Sequence, residues 1–356
     1  MTHLWVRAEQ RAQEERVGIM PQGVRALRDA GMRVTIEESP QRALPLRPYL
    51  EAGAEIAPCG AWPDAPHDAI IFGLKELPDD GAPLIHRHIM FGHAYKGQPA
   101  GAALLARFRA GGGVLYDLEY LTETDGQRVA AFGYWAGYAG AAVSLLAYGA
   151  QARGGVCAPL ARFVDQAAMQ DAVARALDGL TPPRVLVIGA LGRVGTGAGD
   201  LCRALGLEVT AWDQSETAHG GPFPEILAHD VFLNCILAHP GAPVFVPETA
   251  ASDPRALRVI GDIACDPTSD FSPVRVYDRV TDWARPVLRV AGQPVLDVMA
   301  IDNLPSLLPV ESSEDFAAQL LPHLLALDDL DSGVWRRARA VFGQHVRGSE
   351  PDAQRD

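Results

Sequence analysis

The chain has little cysteine, no excess of cations and a single long uncharged run. Its five cysteines, Cys59, Cys157, Cys202, Cys235 and Cys265, are odd in number and scattered, with no C-x-x-C pair. Neither a disulfide framework nor a thiolate metal site is written in them, and reduced thiols in a cytoplasmic protein are the expectation. Lys plus Arg number 31 against 44 Asp plus Glu, a formal net charge of −13. That balance argues against nucleic acid or an anionic membrane as the main partner. It leaves an anionic small substrate open, because local cations decide that. The start, MTHLWVRAEQR, carries charge too early for a signal peptide and has no apolar stretch behind it. His86 and His88 flank Arg87 without acidic companions at ligand spacing, so no metal site is expected. The uncharged run, Ala130 to Ala150, has 21 residues, long enough to span a bilayer. It stands alone, however, and Gly133, Gly137, Gly140 and Gly149 suit close packing, so a helix buried between two domains is the expectation.

What is present is organised around RVLVIGALGRVGTGAGDLCRALGLEVTAWD, Arg184 to Asp213. An apolar, mostly β-branched run, Val185 to Ile188, ends in Gly189, with Gly192 and Gly195 behind it. A helical stretch runs to about Leu205, Gly206 stops it, Val209 to Trp212 resume a strand, and Asp213 closes that strand. Strand, glycine turn, helix, strand and acid together form the first half of a dinucleotide-binding unit. Glycines let the backbone approach a pyrophosphate, whose charge then sits among the free N–H groups of a helix N-terminus. The spacing is G-x-x-G-x-x-G, one residue longer than the common fingerprint. Asp213 favours NAD over NADP, because its charge repels a 2′-phosphate and Gln214 and Ser215 supply no cation.

A length of 356 residues makes two domains the natural expectation. Before the glycine turn, strands are expected around Leu4–Arg7, Val34–Glu37, Ala69–Leu74, His88–Gly92, Val114–Leu118 and Arg128–Phe132. Helices are expected from about Gln22 to Gly31, at Tyr49–Ala52 and at Ala102–Arg109. The alternation predicts a second α/β domain with a parallel sheet, lacking a phosphate-binding turn. Gln151 to Pro183 reads as helical. Beyond Asp213, strands are expected at Asp230–Ile236 and Leu257–Ile263, then helices at about Glu311–Leu327 and Gly333–Val346. The polar tail, GSEPDAQRD, is expected to be loose.

A nicotinamide enzyme needs a proton acceptor and donor and charges that hold substrate. Lys75 leads out of the apolar run IIFGLKELP, where partial desolvation suits a base; it reads equally as a surface lysine. His93, in MFGHAYKGQ, follows another strand, where a histidine suits proton transfer, or else satisfies buried backbone groups. Glu76 and Glu119 stand at neighbouring strand ends, as tuning charges or as solvated ones. Arg16, Lys96 and Arg128 are the anion candidates, with a plain surface cation as the alternative for each.

The stretches RAEQRAQEERVGIMP, IIFGLKELP, FGHAYKGQ, LYDLEYL, GQRVAAFGYWAGYAGAA, VIGALGRVGTGA, GGPFPEI, FLNCI and IDNLPSLLP cover nearly the whole chain. Together they resemble the NAD-dependent, L-lysine-forming saccharopine dehydrogenases and, more distantly, alanine dehydrogenase and the related transhydrogenase domain. The resemblance implies an α/β protein of two Rossmann-like domains with parallel sheets and an active-site cleft between them. A discontinuous catalytic domain would comprise residues 1–135 and 320–356, and the NAD-binding domain residues 136–319. It implies Lys75 and His93 as the acid–base pair, Glu76 and Glu119 tuning them, and Arg16, Lys96 and Arg128 on substrate carboxylates beside Tyr134. The cofactor set would be Gly189, Leu191, Gly192, Arg193, Val194, Gly195, Asp213, His219, Cys235 and Asp302. His219 departs from the family, where an arginine often precedes GGPF. Val194 replaces a cysteine of some fungal relatives opposite Cys235, so no disulfide can form there. The implied small molecules are saccharopine, L-lysine and 2-oxoglutarate. A reductase joining another amine to a 2-oxo acid, or a non-catalytic NAD sensor, are the alternatives. The oligomeric state is open, a monomer included.

Overall fold

A computed structural model describes residues 1–237 and 239–348, so the tail from Ser349 on lies outside the described residues. The chain divides into two compact units, Met1–Ala131 with the segment from Ser312 on, and Phe132–Glu311. In the first, β1 (His3–Val6), β2 (Arg33–Glu37), β3 (Glu55–Ala57), β4 (Ile70–Phe72), β5 (Arg87–Met90) and β6 (Val114–Asp117) form one sheet in the order β3-β2-β1-β4-β5-β6. Every pairing in it is parallel. The strands are short and almost wholly buried, as strands covered on both faces must be. α1 (Pro21–Asp29) starts on a proline, whose missing N–H costs nothing at that position, and buries Val24 and Leu27. α2 (Arg47–Glu51) and α3 (Pro99–Gly111) follow the same proline-first pattern.

The strand expected at Arg128–Phe132 is absent. Arg128 instead makes an isolated bridge to Thr122 across a turn in which Gly126 has a φ of +84°. The segment closes on itself and runs directly into α4 (Gly133–Ala152).

The second unit opens with α4, α5 (Gln166–Leu177), β7 (Val185–Ile188), α6 (Arg193–Ala204), β8 (Val209–Trp212), α7 (Gln214–Thr217) and α8 (Pro224–Ala228). It continues with β9 (Val231–Asn234), β10 (Val259–Asp262), β11 (Leu288–Gly292) and β12 (Val295–Met299), in the sheet order β11-β12-β10-β9-β7-β8. All neighbours are parallel except β11, which pairs antiparallel with β12. This hairpin escaped the sequence reading because GQP looks like loop. Of the stretch expected to be helical, only Gln151–Ala152, the end of α4, and Gln166–Leu177 are so; Gly154, with φ +78°, and Pro159 keep the segment between them extended.

The uncharged run became α4, which belongs to this unit. It packs on α6 backbone to backbone. A Cβ on Gly137 would stand 1.8 Å from the Val194 carbonyl oxygen, and one on Gly197 1.9 Å from that of Tyr134. Among the described residues no helix is long and apolar enough to cross a membrane. α9 (Pro309–Leu324) and α10 (Gly333–Gly348) close the chain, and α10 packs on β6 of the first unit.

Candidate active site

In the first unit, the carboxyl ends of β4, β5 and β6 carry the candidates, as parallel sheets place their ligands. The chain has 29 arginines and two lysines, Lys75 and Lys96, and both lysines stand here. Lys75 lies three residues past β4 and is half-buried. Beside it is a residue that sequence reasoning passed over, Glu14. Only 3% exposed, Glu14 takes Nε of Arg16 at 2.8 Å and Nη2 at 2.6 Å on its two oxygens. Burial pushes its carboxyl up, but the Arg16 hydrogen bonds and the charges of Arg16 and Lys75 prevail and hold it below the usual range. Glu14 thus fixes the guanidinium of Arg16 and sets a negative charge by Lys75. The E-x-R spacing in AQEERVG was the available signal.

The second cluster centres on Glu119, which follows β6. Lys96 Nζ donates to Oε1 at 2.9 Å, and His93 Nδ1 lies 3.4 Å from Oε2. That longer contact is electrostatic, since buried Oε2 makes no hydrogen bond. His93 first, then the Lys96 bond, hold the Glu119 carboxyl at about 2 against the burial that opposes them. Lys96 is raised in turn by its bond to Glu119, and Arg128 is close enough to oppose that rise. His93 is exposed and adopts a left-handed φ of 47°, a strained conformation that clusters at functional sites. Under it lies Asp117, fully buried, whose Oδ1 accepts the Glu119 N–H at 2.9 Å and whose carboxyl is raised by burial. His93 and Glu76 line one cavity of about 400 Å³ with Arg11, Phe91 and the start of α3. Glu76 is exposed, with Arg11 Nε at 3.7 Å.

In the second unit, the turn after β7 has the geometry a pyrophosphate needs. Gly189 has φ +84°, and a Cβ there would stand 2.7 Å from Ile236. A Cβ on Gly195 would lie 2.1 Å from the Gly189 carbonyl oxygen, so the turn closes only with glycine at both places. Gly192 is the N-cap of α6, and Leu191, Gly192 and Arg193 face solvent. Asp213 closes β8 and accepts the Leu191 N–H at 3.0 Å, tying strand end to turn. A cavity of about 600 Å³ opens beside it, walled by Ile188, Ile236, Leu237 and Phe245 with Gln214 and Thr217. Apolar walls and one acid suit an adenosine. His219 packs edge-on against Phe223, 5.3 Å between ring centres, while its neighbours Ala218 and Gly220 line the cavity.

Tyr134, in the first turn of α4, donates its hydroxyl to Asp200 of α6 at 2.8 Å. Val194 and Cys235 are partly buried against the core around β7. Asp302 is exposed, close enough to help raise the Cys265 thiol, which burial first drives to about 12. A polar group that the sequence did not reveal joins β9 to β10. Asp262, 1% exposed, accepts from Asn234 Nδ2 at 2.9 Å and from the Tyr277 hydroxyl at 2.7 Å, and burial raises its carboxyl. Among the described residues no cluster of three or more His, Cys, Asp or Glu could hold a metal ion.

Two α/β units, one with a glycine cradle and one with strand-end lysines and a histidine, define a nucleotide-binding α/β protein. The family model "Alanine dehydrogenase/PNT, N-terminal domain" matches residues 5–139. A solved L-alanine dehydrogenase superposes with a TM-score of 0.69 at 20% identity, covering 98% of this chain and 100% of that one. Sequence relatives are nearer. Saccharopine dehydrogenase (NAD+, L-lysine-forming) of Schizosaccharomyces pombe is 44% identical over 97% of this chain and 98% of its own. The enzyme of that name from Yarrowia lipolytica is 43% identical over 96% and 97%. The chain belongs to the saccharopine dehydrogenase (NAD+, L-lysine-forming) family.

Proposed function

We propose that this chain cleaves saccharopine oxidatively to L-lysine and 2-oxoglutarate with NAD, and runs the reductive condensation in reverse. The observation that carries this reading is the gathering of both lysines of an arginine-rich chain with His93, Glu14, Arg16 and Glu119 at the strand ends of one sheet. Arginine does not deprotonate, so the amine that must gain and lose a proton is Lys75, while Lys96 serves as a cation bound to Glu119.

The residues around Gly189 and Asp213 fit NAD, through the closed glycine cradle, the N-terminus of α6 and the acid-flanked cavity. Bound there, NAD supplies the hydride acceptor. Lys75 takes the proton from the secondary amine of saccharopine, which must be neutral before its carbon can give up hydride. His93 takes a proton from the water that adds to the resulting imine and returns one to the departing lysine amine as the carbinolamine collapses. Arg16, Lys96 and Arg128 hold the three substrate carboxylates, with Arg16 aimed by Glu14. Glu119 balances Lys96 and His93, Glu76 adds charge beside His93, and Tyr134 stands near the substrate. Leu191, Gly192, Arg193, Val194 and Gly195 receive the pyrophosphate, Asp213 the ribose, and Cys235 and Asp302 flank the nicotinamide end, with His219 at the adenosine end. The cytoplasm, with its reduced thiols, suits five free cysteines.

Purified protein given saccharopine and NAD should raise the absorbance of NADH, and lysine, 2-oxoglutarate and NADH should lower it. No turnover in either direction would remove the substrate assignment. Turnover confined to another amine or 2-oxo acid in a panel would favour the related reductase, and NADH binding without any turnover the sensor. Lys75→Met and His93→Gln should each slow turnover on the order of 10²-fold or more with NADH affinity retained.

A further inference from the structure

The geometry points to the buried Arg7–Glu9 ion pair as a positioning device for Lys75, an inference that rests on the reading of Lys75 as the base. Arg7 Nη1 lies 3.3 Å from Glu9 Oε2, with the two side chains 1% and 8% exposed. The carboxylate of Glu9 takes the Leu74 N–H on Oε1 at 2.6 Å and the Lys75 N–H on Oε2 at 3.0 Å. Arg7 Nη2 donates to the Lys75 carbonyl, and Nη1 to that of Ala8. One ion pair therefore grips both peptide groups of Lys75. The parallel ladder of β4 ends at Phe72, and its last backbone bonds to the β5 side are Gly73 N–H to the Ile89 carbonyl at 3.0 Å and Phe91 N–H to the Leu74 carbonyl at 3.1 Å. The peptide groups of Lys75 itself are therefore held by Glu9 and Arg7 rather than by the sheet.

The packing is specific to this task. The guanidinium of Arg7 lies over the backbone of Gly73, where a Cβ would come 2.4 Å from Nε. Arg7 Nε is itself buried without a hydrogen bond. A fold that needed only a turn here would not bury two charges and leave a donor unmet. A lysine amine rides on a flexible four-carbon stem, so its placement starts from a fixed Cα. Neither Arg7 nor Glu9 is asked to touch substrate.

The test uses Glu9→Gln in the full chain, read by steady-state kinetics and by NMR of lysine labelled with 15N and 13C. Only two lysine side chains give signals, and the one that Lys75→Met removes is Lys75. In folded Glu9→Gln, kcat should fall on the order of 10²-fold, as expected of about 1 Å of misplacement, with KM for NAD within about twofold. The Lys75 signal should move while that of Lys96 stays. Unchanged kcat with an unmoved Lys75 signal overturns the inference. So does a fall in kcat with that signal unmoved, since the residue would then act elsewhere. If Glu9→Gln does not fold, Gly73→Ala, which displaces the guanidinium, is read by the same criteria. If Lys75→Met stays active, the base assignment is lost, and the signal of Lys75 alone decides whether the clamp positions it.

Discussion

Replacing Gly197 by alanine sets helix propensity against packing, and the structure says which wins. In an exposed helix, Gly→Ala gains about 1 kcal/mol. In α6 the new Cβ would stand 1.9 Å from the Tyr134 carbonyl oxygen and 2.8 Å from its carbon. Ordinary contact begins near 3.4 Å, so α4 and α6 must separate by roughly 1.5 Å. The obstacle is backbone, with no rotamer to yield. Overpacking of this kind costs about 1–3 kcal/mol and sometimes more, and a backbone clash belongs at the upper end. The net expectation is a loss of about 2 kcal/mol, or a fall in Tm of roughly 4–8 °C for a unit of this size. Because α6 begins at the glycine turn, its shift should also weaken NADH binding by about tenfold or more. Gly199→Ala is the control on the same helix. Its Cβ would meet only the tip of Arg203, at 3.1 Å, so it should be neutral or stabilising. Calorimetry and NADH titration of both variants decide the matter. Equal stability and equal affinity in the two would refute the claim that α4 and α6 touch through bare backbone.

Glu119 makes stability depend on acid. Its carboxyl sits at about 2 when folded against 4.5 ordinarily, so its contribution, up to ~3 kcal/mol, is complete above about pH 4.5 and disappears as the pH falls through 2. Urea unfolding of Glu119→Gln and the parent should therefore differ at pH 6 and converge toward pH 2; a gap independent of pH would contradict this origin. Asp213→Asn keeps an acceptor for the Leu191 N–H and removes the charge, so the preference for NAD over NADP should fall about tenfold or more in paired KM measurements, and an unchanged preference would place the discrimination elsewhere. Asp297, wholly buried, holds Arg289 Nε at 2.9 Å and Gln151 Nε2 at 3.1 Å. Asp297→Ala should cost about 3 kcal/mol in denaturant titration, whereas a loss below about 1 kcal/mol would mean that Arg289 finds water instead.

Much of the fold was legible because parallel strands buried on both faces leave continuous apolar runs, as at Ile70–Phe72 and Val185–Ile188. The glycine turn was legible because close backbone approach admits one residue type. The hairpin of β11 and β12 was not, since its turn carries loop residues and its pairing is a contact between strands rather than a composition. The helix α4 was recognised by its missing charges, but its partner α6 was not, because small residues announce close packing without naming the partner. Glu14 was missed for a similar reason. A charged residue in a charged stretch looks solvated until burial and the fork of Arg16 are seen.

By itself, the sequence determined the chemistry available: a glycine cradle ending in an acid, two lysines among many arginines, and histidine after an apolar strand. Those follow from residue type and short spacing, which the chain carries in one dimension. Only tertiary structure decided which charges meet. It paired Glu14 with Arg16 and Glu119 with Lys96 and His93, joined Asp262 to Tyr277, and closed Arg7 and Glu9, near one end of the chain, on Lys75, more than sixty residues away. Charges at that separation interact only after the sheet has brought β1 beside β4, and burial then gives each pairing its strength.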